Sequence, residues 1–282
     1  MYIKASYIKP RTLDEATALL AAGEAQILSG GTDFYPALGD RVVHVPVVDV
    51  SGLGELRGVS SDAGYFRIGG LTTWSEIIRT PLPRCFDALK SAAREVGGVQ
   101  IQNRGTVAGN LCNASPAADG VPPLLALDAE VELVSDVGVR RLPLADFIVG
   151  NRKTQRKADE LLAAVVVPRA LENAASTFVK LGARRYLVIS ISMVAVVVKL
   201  SDWRILEARV AVGSCSAVAR RLRALEDDLV GASVRDGLGR VVRPEHLAPL
   251  SPIDDVRATA EYRMDASLRL VQRALNSCVE NG

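Results

Sequence analysis

Two short stretches carry residue types that build a poor core and a good ligand cradle. One is Ile27-Leu28-Ser29-Gly30-Gly31-Thr32-Asp33-Phe34; the other runs from Gly97 to Asp128, GGVQIQNRGTVAGNLCNASPAADGVPPLLALD. Both are dense in glycine and in short polar side chains. The longer one has no clear apolar periodicity before its Leu-Leu-Ala-Leu run. Glycine lets a backbone approach a ligand closely and adopt positive φ. Asn, Ser and Thr add compact donors and acceptors. Successive backbone N–H groups in such loops converge on anionic oxygen. Taken alone, Ser29–Asp33 also reads as a tight turn with a Gly-Gly hinge. Two such loops in one chain fit the two ends of an extended anionic cofactor. Neither is a Walker A loop or a GxGxxG turn, so the common nucleotide motifs do not apply.

The elements that must position these loops can be read in chain order. Thr12-Leu13-Asp14-Glu15 has the capping-box pattern and opens a helix through Ala22. A short strand over Ala25 to Leu28 feeds the first loop. Val42 to Val50 is strand-like, and Pro46 predicts a bend or an edge position. Leu56–Val59 and Tyr65–Ile68 predict a hairpin, followed by the tight loop Gly69-Gly70-Leu71-Thr72. Thr73-Trp74-Ser75-Glu76 is a second capping box. A helix is expected from Leu82 to Val96, with Pro83 in its first turn. Strands are expected over Ala129 to Ser135, at Arg140–Leu142 and over Glu160 to Val167, with 147–159 a polar loop. Ser176–Leu181, Leu187–Val198 and Arg204–Val212 predict an antiparallel sheet. Helical spacing predicts a helix from Ala217 to Leu229 and a long amphipathic one from Arg257 to Val279. The pattern divides the chain near residue 170, with an α/β part before it and an α+β part after it.

Composition narrows the function classes. The 282 residues, 49% apolar and 23% charged, have an ordinary globular balance, with 34 Lys and Arg against 32 Asp and Glu. That near-neutral charge argues against a nucleic-acid protein, which shows a concentrated basic face. Arg184-Arg185 and Arg220-Arg221-x-Arg223 are local clusters that read as solvated surface or partner contacts. Cys85, Cys112, Cys215 and Cys278 lie far apart, so no CxxC metal or iron–sulfur pattern exists, and they read as reduced thiols of a cytoplasmic protein. The N-terminal residues lack the apolar core of a signal peptide. The most apolar run, Leu187 to Val198, is too short to span a bilayer.

The two loops together resemble the FAD-binding subunit of the molybdenum hydroxylases, the family of the carbon monoxide dehydrogenase medium subunit and the xanthine dehydrogenase flavin domain. The residues that carry the likeness are Ser29-Gly30-Gly31-Thr32-Asp33 and Gln102-x-Arg104-Gly105-Thr106-Val107-Ala108-Gly109-Asn110-Leu111. It continues through Cys112-Asn113-Ala114-Ser115-Pro116-Ala117-Ala118-Asp119, and the tail Asp255-Val256-Arg257-x-x-Ala260-x-Tyr262-Arg263 matches the family's C-terminal signature. The resemblance implies an α+β chain: residues 1–170 as a p-cresol methylhydroxylase-type FAD-binding domain of two α/β subdomains split near 55. Residues 171–282 form a C-terminal domain with a three-stranded antiparallel sheet and helices.

By the same resemblance, Ile27, Leu28, Ser29, Gly30, Gly31, Thr32, Asp33 and Phe34 wrap the FAD pyrophosphate. Thr106, Val107, Ala108, Gly109 and Asn110 form a second phosphate loop, followed by Ser115. Asp119 holds the ribityl or ribose region, Leu162 packs against the isoalloxazine, Lys180 lies near the flavin, and Val188 or Ile189 lies by its face. Without the likeness, Lys180 is an ordinary solvated lysine and Asp119 a turn residue. One departure stands out: Ala108 replaces a family glycine. If that position needs positive φ, alanine strains the loop by roughly 1 kcal/mol.

The resemblance further implies non-covalent FAD, with the molybdenum cofactor and two [2Fe–2S] clusters held in a large and a small partner subunit, assembled as a dimer of heterotrimers. His44 and His246 lie outside both loops, which argues against a histidyl flavin. Electrons would pass from the iron–sulfur subunit to FAD and on to NAD+, a quinone or oxygen. No metal site and no catalytic acid, base or nucleophile is expected in this chain. It is expected in the cytoplasm, with any membrane association supplied by its partners. Two other readings share parts of this pattern: a stand-alone FAD-dependent oxidoreductase, and a flavin-free scaffold subunit.

Overall fold

The computed structural model describes residues 6–280. Its first layer is a parallel three-stranded sheet in the order Tyr7–Ile8, Val47–Asp49, Gln26–Leu28. The helix Leu13–Ala21 lies across it and buries Ala16 and Leu20 with Val48, Val50, Leu53 and Leu161. The Thr12 side chain accepts from Glu15 N, but the Glu15 carboxylate takes Arg11 N at 2.7 Å, so only half of that capping box forms. The strand after Pro46 is central rather than at an edge. Pro46 avoids the ladder by preceding it, and its carbonyl accepts from Gln26 N at 2.9 Å.

A five-stranded antiparallel sheet follows, ordered Val59–Ser61, Tyr65–Gly69, Leu161–Pro168, Glu130–Ser135, Gly138–Pro143. Helices Trp74–Arg79, Asp87–Glu95, Val107–Asn113 and Val121–Ala126 cover it, and Phe66, Trp74, Phe86, Leu89, Leu111 and Leu133 share one core. The Thr73–Glu76 capping box forms completely. The expected 82–96 helix starts later: Arg84–Phe86 is a 3₁₀ turn ahead of Asp87–Glu95. Within the expected 147–159 loop, Ile148–Gly150 and Lys153–Thr154 pair as a small ribbon.

The last part is an antiparallel sheet of Ala175–Leu181, Ser192–Ser201, Arg204–Gly213 and a fourth, two-residue strand, Arg220–Arg221, backed by the helix Ala260–Glu280. Side chains alternate along Ser192–Ser201. Val194, Val196 and Val198 enter the C-terminal core, whereas Met193, Ala195 and Val197 enter the core under the five-stranded sheet. This double burial explains the unbroken apolar run. The expected 217–229 helix is only Arg223–Leu229, because Arg221 pairs with the sheet and its guanidinium binds Glu226, Asp128 and Leu125 O. The Arg221 side chain is therefore only 7% exposed, not part of a solvated cluster. The expected strand from Leu187 begins at Ser192; Leu187 itself has φ 51°. No helix among the described residues is long and apolar enough to cross a membrane.

Candidate functional site

Leu28, paired with Asp49, ends the strand that delivers the first loop. Gly30 then passes hard against the second stretch: a Cβ there would lie 2.1 Å from Arg104 O. Gly31 turns the chain with φ 76° into the short helix Phe34–Leu38. The backbone N–H groups of Gly30, Gly31, Thr32 and Asp33 have no acceptor among the described residues. Four consecutive free donors at the end of a strand suit anionic oxygen.

The second stretch is held from behind by the Gly69–Thr72 turn. Val107 N donates to Thr72 O and Ala108 N to Gly70 O, both at 3.0 Å, while Trp74 N donates to Gly105 O at 3.2 Å. Thr106 caps the following helix through Gly109 N at 3.0 Å. The Thr106 hydroxyl also meets the Ser29 hydroxyl at 2.9 Å, which ties the two loops together. The expected strain at Ala108 does not exist: Ala108 is a helical residue, buried, with no positive φ. Because the N–H groups of residues 107–110 are all used internally, this stretch offers side chains and surface rather than free donors.

Between the loops lies a cleft of about 710 Å³. Ile27, Ser29, Gly30, Gly31, Thr32, Asp33, Phe34, Thr106, Ala108, Gly109, Asn110 and Leu162 all reach it. Leu28 and Val107 are core residues behind its walls. Asn110 Oδ1 is buried without a partner among the described residues. Ser115 and Ile189 line a neighbouring cavity instead.

Asp119 and Lys180 meet each other, not the cleft. Lys180 Nζ donates to Asp119 Oδ2 at 2.8 Å, and Ser190 Oγ donates to Oδ1 at 2.9 Å. Both side chains are almost fully buried. Burial pushes the Asp119 carboxyl up, against the pull of the Lys180 ammonium and the Ser190 hydroxyl. The pair joins the first part of the chain to the C-terminal sheet.

Several cleft residues were missed from sequence, among them Trp74, Arg152, Thr154, Arg156 and Leu161. Arg156 Nη1 is fixed by Lys157 O at 2.8 Å and Glu160 O at 2.7 Å, and Arg152 by the Asn113 side chain. The signal was present: Arg152-Lys153-Thr154-Gln155-Arg156-Lys157 packs four cations into six residues. Its polarity reads equally well as a solvated loop. Among the described residues, no cluster of His, Cys, Asp and Glu could hold a metal ion.

A glycine-loop cleft set between a parallel sheet unit and an antiparallel one, with a sheet-and-helix domain behind it, defines a FAD-binding subunit. The chain belongs to the family of FAD binding domains in molybdopterin dehydrogenases, which matches residues 3–170, and the CO dehydrogenase flavoprotein C-terminal domain matches 177–278. It is 32% identical to the putative xanthine dehydrogenase FAD-binding subunit XdhB of Escherichia coli K12, across 99% of this chain and 97% of the relative. It is 35% identical to the nicotinate dehydrogenase FAD-subunit of Eubacterium barkeri, across 80% and 79%. Among solved structures, it superposes on quinoline 2-oxidoreductase from Pseudomonas putida 86 with a TM-score of 0.91 at 25% identity, covering 100% of this chain and 99% of that one. The carbon monoxide dehydrogenase of Hydrogenophaga pseudoflava gives 0.87 at 25%, covering 99% of each chain. The chain is thus an oxidoreductase subunit of the molybdenum-hydroxylase type.

Proposed function

We propose that this chain is the electron-transfer subunit of a molybdenum hydroxylase. Electrons arrive from a small [2Fe–2S] subunit, the substrate reacts at molybdenum in a large subunit, and an external acceptor (NAD+, a quinone or oxygen) takes the electrons from FAD. The observation that carries this reading is the cleft itself, with four free N–H donors on one wall and the Ser29–Thr106 hydrogen bond closing the two loops on each other. Bound there, FAD supplies the two-electron chemistry. The chain's residues bind, orient and exclude water.

In this assignment the Gly30–Asp33 donors meet the pyrophosphate, and Arg152 and Arg156 add positive charge beside it. Asn110 Oδ1, buried and unpaired, suits a hydroxyl donor of the cofactor's sugar chain. Trp74, Leu161 and Leu162 supply the apolar wall. The Asp119–Lys180–Ser190 unit holds the C-terminal domain, residues 171–282, against the FAD domain, residues 1–170, at the cofactor's edge. Dimers of such heterotrimers are the proposed assembly.

The test is an absorption spectrum of the purified chain incubated with FAD and desalted, followed by acid release. Flavin bands with free FAD after acid support the reading. A protein that stays colourless in excess FAD, alone and with its partner subunits, sinks it. Electron delivery is tested by mixing the oxidised flavoprotein with a reduced [2Fe–2S] partner and watching the flavin bleach.

A further inference from the structure

The tail signature Asp255-Val256-Arg257-x-x-Ala260-x-Tyr262-Arg263 lies outside both cofactor loops, and the fold gives most of it a structural task. Asp255 and Ala258 close a tight turn, with Asp255 N donating to Ala258 O at 3.1 Å. The Asp255 carboxylate braces that turn. Its Oδ1 accepts from Arg257 N and from Arg263 Nη2, both at 2.8 Å, and its Oδ2 from Arg257 Nη1 at 3.0 Å. Arg263, 3% exposed, pins the turn to the rest of the domain through Ile191 O at 2.6 Å. Asp254 Oδ1 takes Ala260 N at 2.5 Å and fixes the turn to the start of the helix Ala260–Glu280.

Two residues of the signature have no such task. Val256 is 99% exposed at the tip of the turn, and Tyr262 is 51% exposed, its hydroxyl without a partner among the described residues. A lone exposed apolar side chain is ordinary surface. Val256 differs in its mounting. Turns favour Gly, Pro, Asn, Asp and Ser, so a branched apolar side chain serves no local need there. A turn braced this heavily has already given up the freedom that binding would otherwise take from it. It holds its valine out as a fixed knob, the shape that fills an apolar pocket on another protein. The Tyr262 ring, apolar in its body and polar at its tip, suits the edge of such a contact.

Position selects the occupant. Asp255 and Arg257 share a cavity wall with Arg152, and Arg152 also lines the FAD cleft. Ile191, which anchors Arg263, follows Ser190, whose hydroxyl binds Asp119 of the FAD domain. The turn therefore stands at the rim of the cofactor site, with Val256 facing away from it into solvent. Of two partner subunits, the one that hands electrons to FAD must come to that rim, whereas the one that converts substrate need not. We propose that the turn Asp255–Ala258 is a docking knob for the small [2Fe–2S] subunit, with Val256 seated in an apolar pocket of that partner and Tyr262 against the pocket's edge. This inference rests on the electron-transfer reading and adds to it the surface that receives the donor.

Binding of the full FAD-loaded chain to the separately purified small subunit, and to the large subunit, is measured by calorimetry, with gel filtration of the chain alone. Val256→Asp should weaken binding of the small subunit by at least about tenfold, because a carboxylate in an apolar pocket loses its water. Tyr262→Ala should weaken it too. Val256 touches neither core nor cofactor, so FAD content and melting temperature in Val256→Asp should match the parent. Val137→Asp is the control: Val137 is 88% exposed between the strands Glu130–Ser135 and Gly138–Pro143, and this variant should bind as the parent does. The proposal is overturned if Val256→Asp binds the small subunit with parental affinity, if it weakens only the large subunit, or if its sole effect is to abolish self-association of the chain. A parent chain that takes up no FAD, or whose flavin stays oxidised beside the reduced small subunit, defeats the electron-transfer reading and this inference with it. A parent that passes both tests while Val256→Asp binds unchanged defeats this inference alone.

Discussion

Alanine at Gly30 tests whether the two loops act as one grip. The new Cβ would lie 2.1 Å from Arg104 O, whereas real Cβ contacts do not come under 3.0 Å, so one loop must retreat by about 0.9 Å. Both neighbours are backbone, with no flexible side chain to swing aside. Overpacking of this kind costs about 1–3 kcal/mol, and separating the loops removes the Ser29–Thr106 hydrogen bond, worth about 1 kcal/mol. A total of about 2–4 kcal/mol lowers the melting temperature by roughly 5–10 °C in a chain of this size. If the retreat falls on the cofactor loops, FAD affinity drops by about 30- to 1,000-fold. Gly231→Ala is the control. Gly231 has φ 80° but faces open space, so alanine costs about 1–2 kcal/mol of strain and leaves FAD affinity unchanged. Fluorescence titration with FAD, alongside thermal melts, separates the two effects. Parental FAD affinity in a folded Gly30→Ala variant refutes the coupled-loop reasoning.

Removing either member of the Asp119–Lys180 pair strands a buried charge and should cost about 3–5 kcal/mol; Asp119→Asn with Lys180→Met should cost less than either single truncation, and strictly additive melts would sink the pairing. The Asp255 carboxyl is held at about 2, first by Arg257 N–H and then by the Arg263 and Arg257 guanidiniums against a desolvation penalty. Its folded value lies below the unfolded value of about 3.9, so its stabilisation is complete above pH ~4 and is lost as pH falls towards 2. Asp255→Asn should flatten that acid limb of the melting curve; an unchanged limb counts against the assignment. Of the four cysteines, Cys85, Cys215 and Cys278 are buried, while half-buried Cys112 lines the FAD cleft with its thiol pushed up to about 11 by desolvation. A disulfide reagent at mildly alkaline pH should therefore label Cys112 slowly and first, and FAD should slow it further; mass mapping to another cysteine contradicts the placement of the cleft.

What was legible in the sequence was local chemistry. Thr73 and Glu76 stand at the spacing a cap needs, and they make it. Gly30 and Gly31 announce a turn and a close approach, and both occur. Contacts set by distant partners were not legible. Asp119 and Lys180 lie 61 residues apart, and nothing local to either predicts that the turn residue and the solvated lysine bury each other. Arg220 and Arg221 sit in a helical pattern, yet sheet pairing and three acceptors around Arg221 win over propensity.

Ala108 shows the same limit from the other side. A lost glycine predicts strain only if the position is a turn, and whether it is a turn was decided elsewhere. Gly69-Gly70-Leu71-Thr72 looks like one more tight loop. In the fold, its Gly70 and Thr72 carbonyls take the N–H groups of Ala108 and Val107, while Thr73 and Thr106 bridge beside them. That third loop takes two of the second loop's N–H groups, residue 108 is helical, and among the described residues the run of four free N–H groups lies on the first loop. The site is therefore asymmetric: one wall offers backbone donors, and the other holds its shape through the Thr106 hydroxyl. On that argument, Thr106→Val should loosen the junction between the walls and lower FAD affinity. Arg41→Ala, altering an exposed side chain that donates to the Ala37 and Leu38 carbonyls at the end of the helix Phe34–Leu38, should do neither. Equal FAD affinity in the two variants would refute the asymmetry.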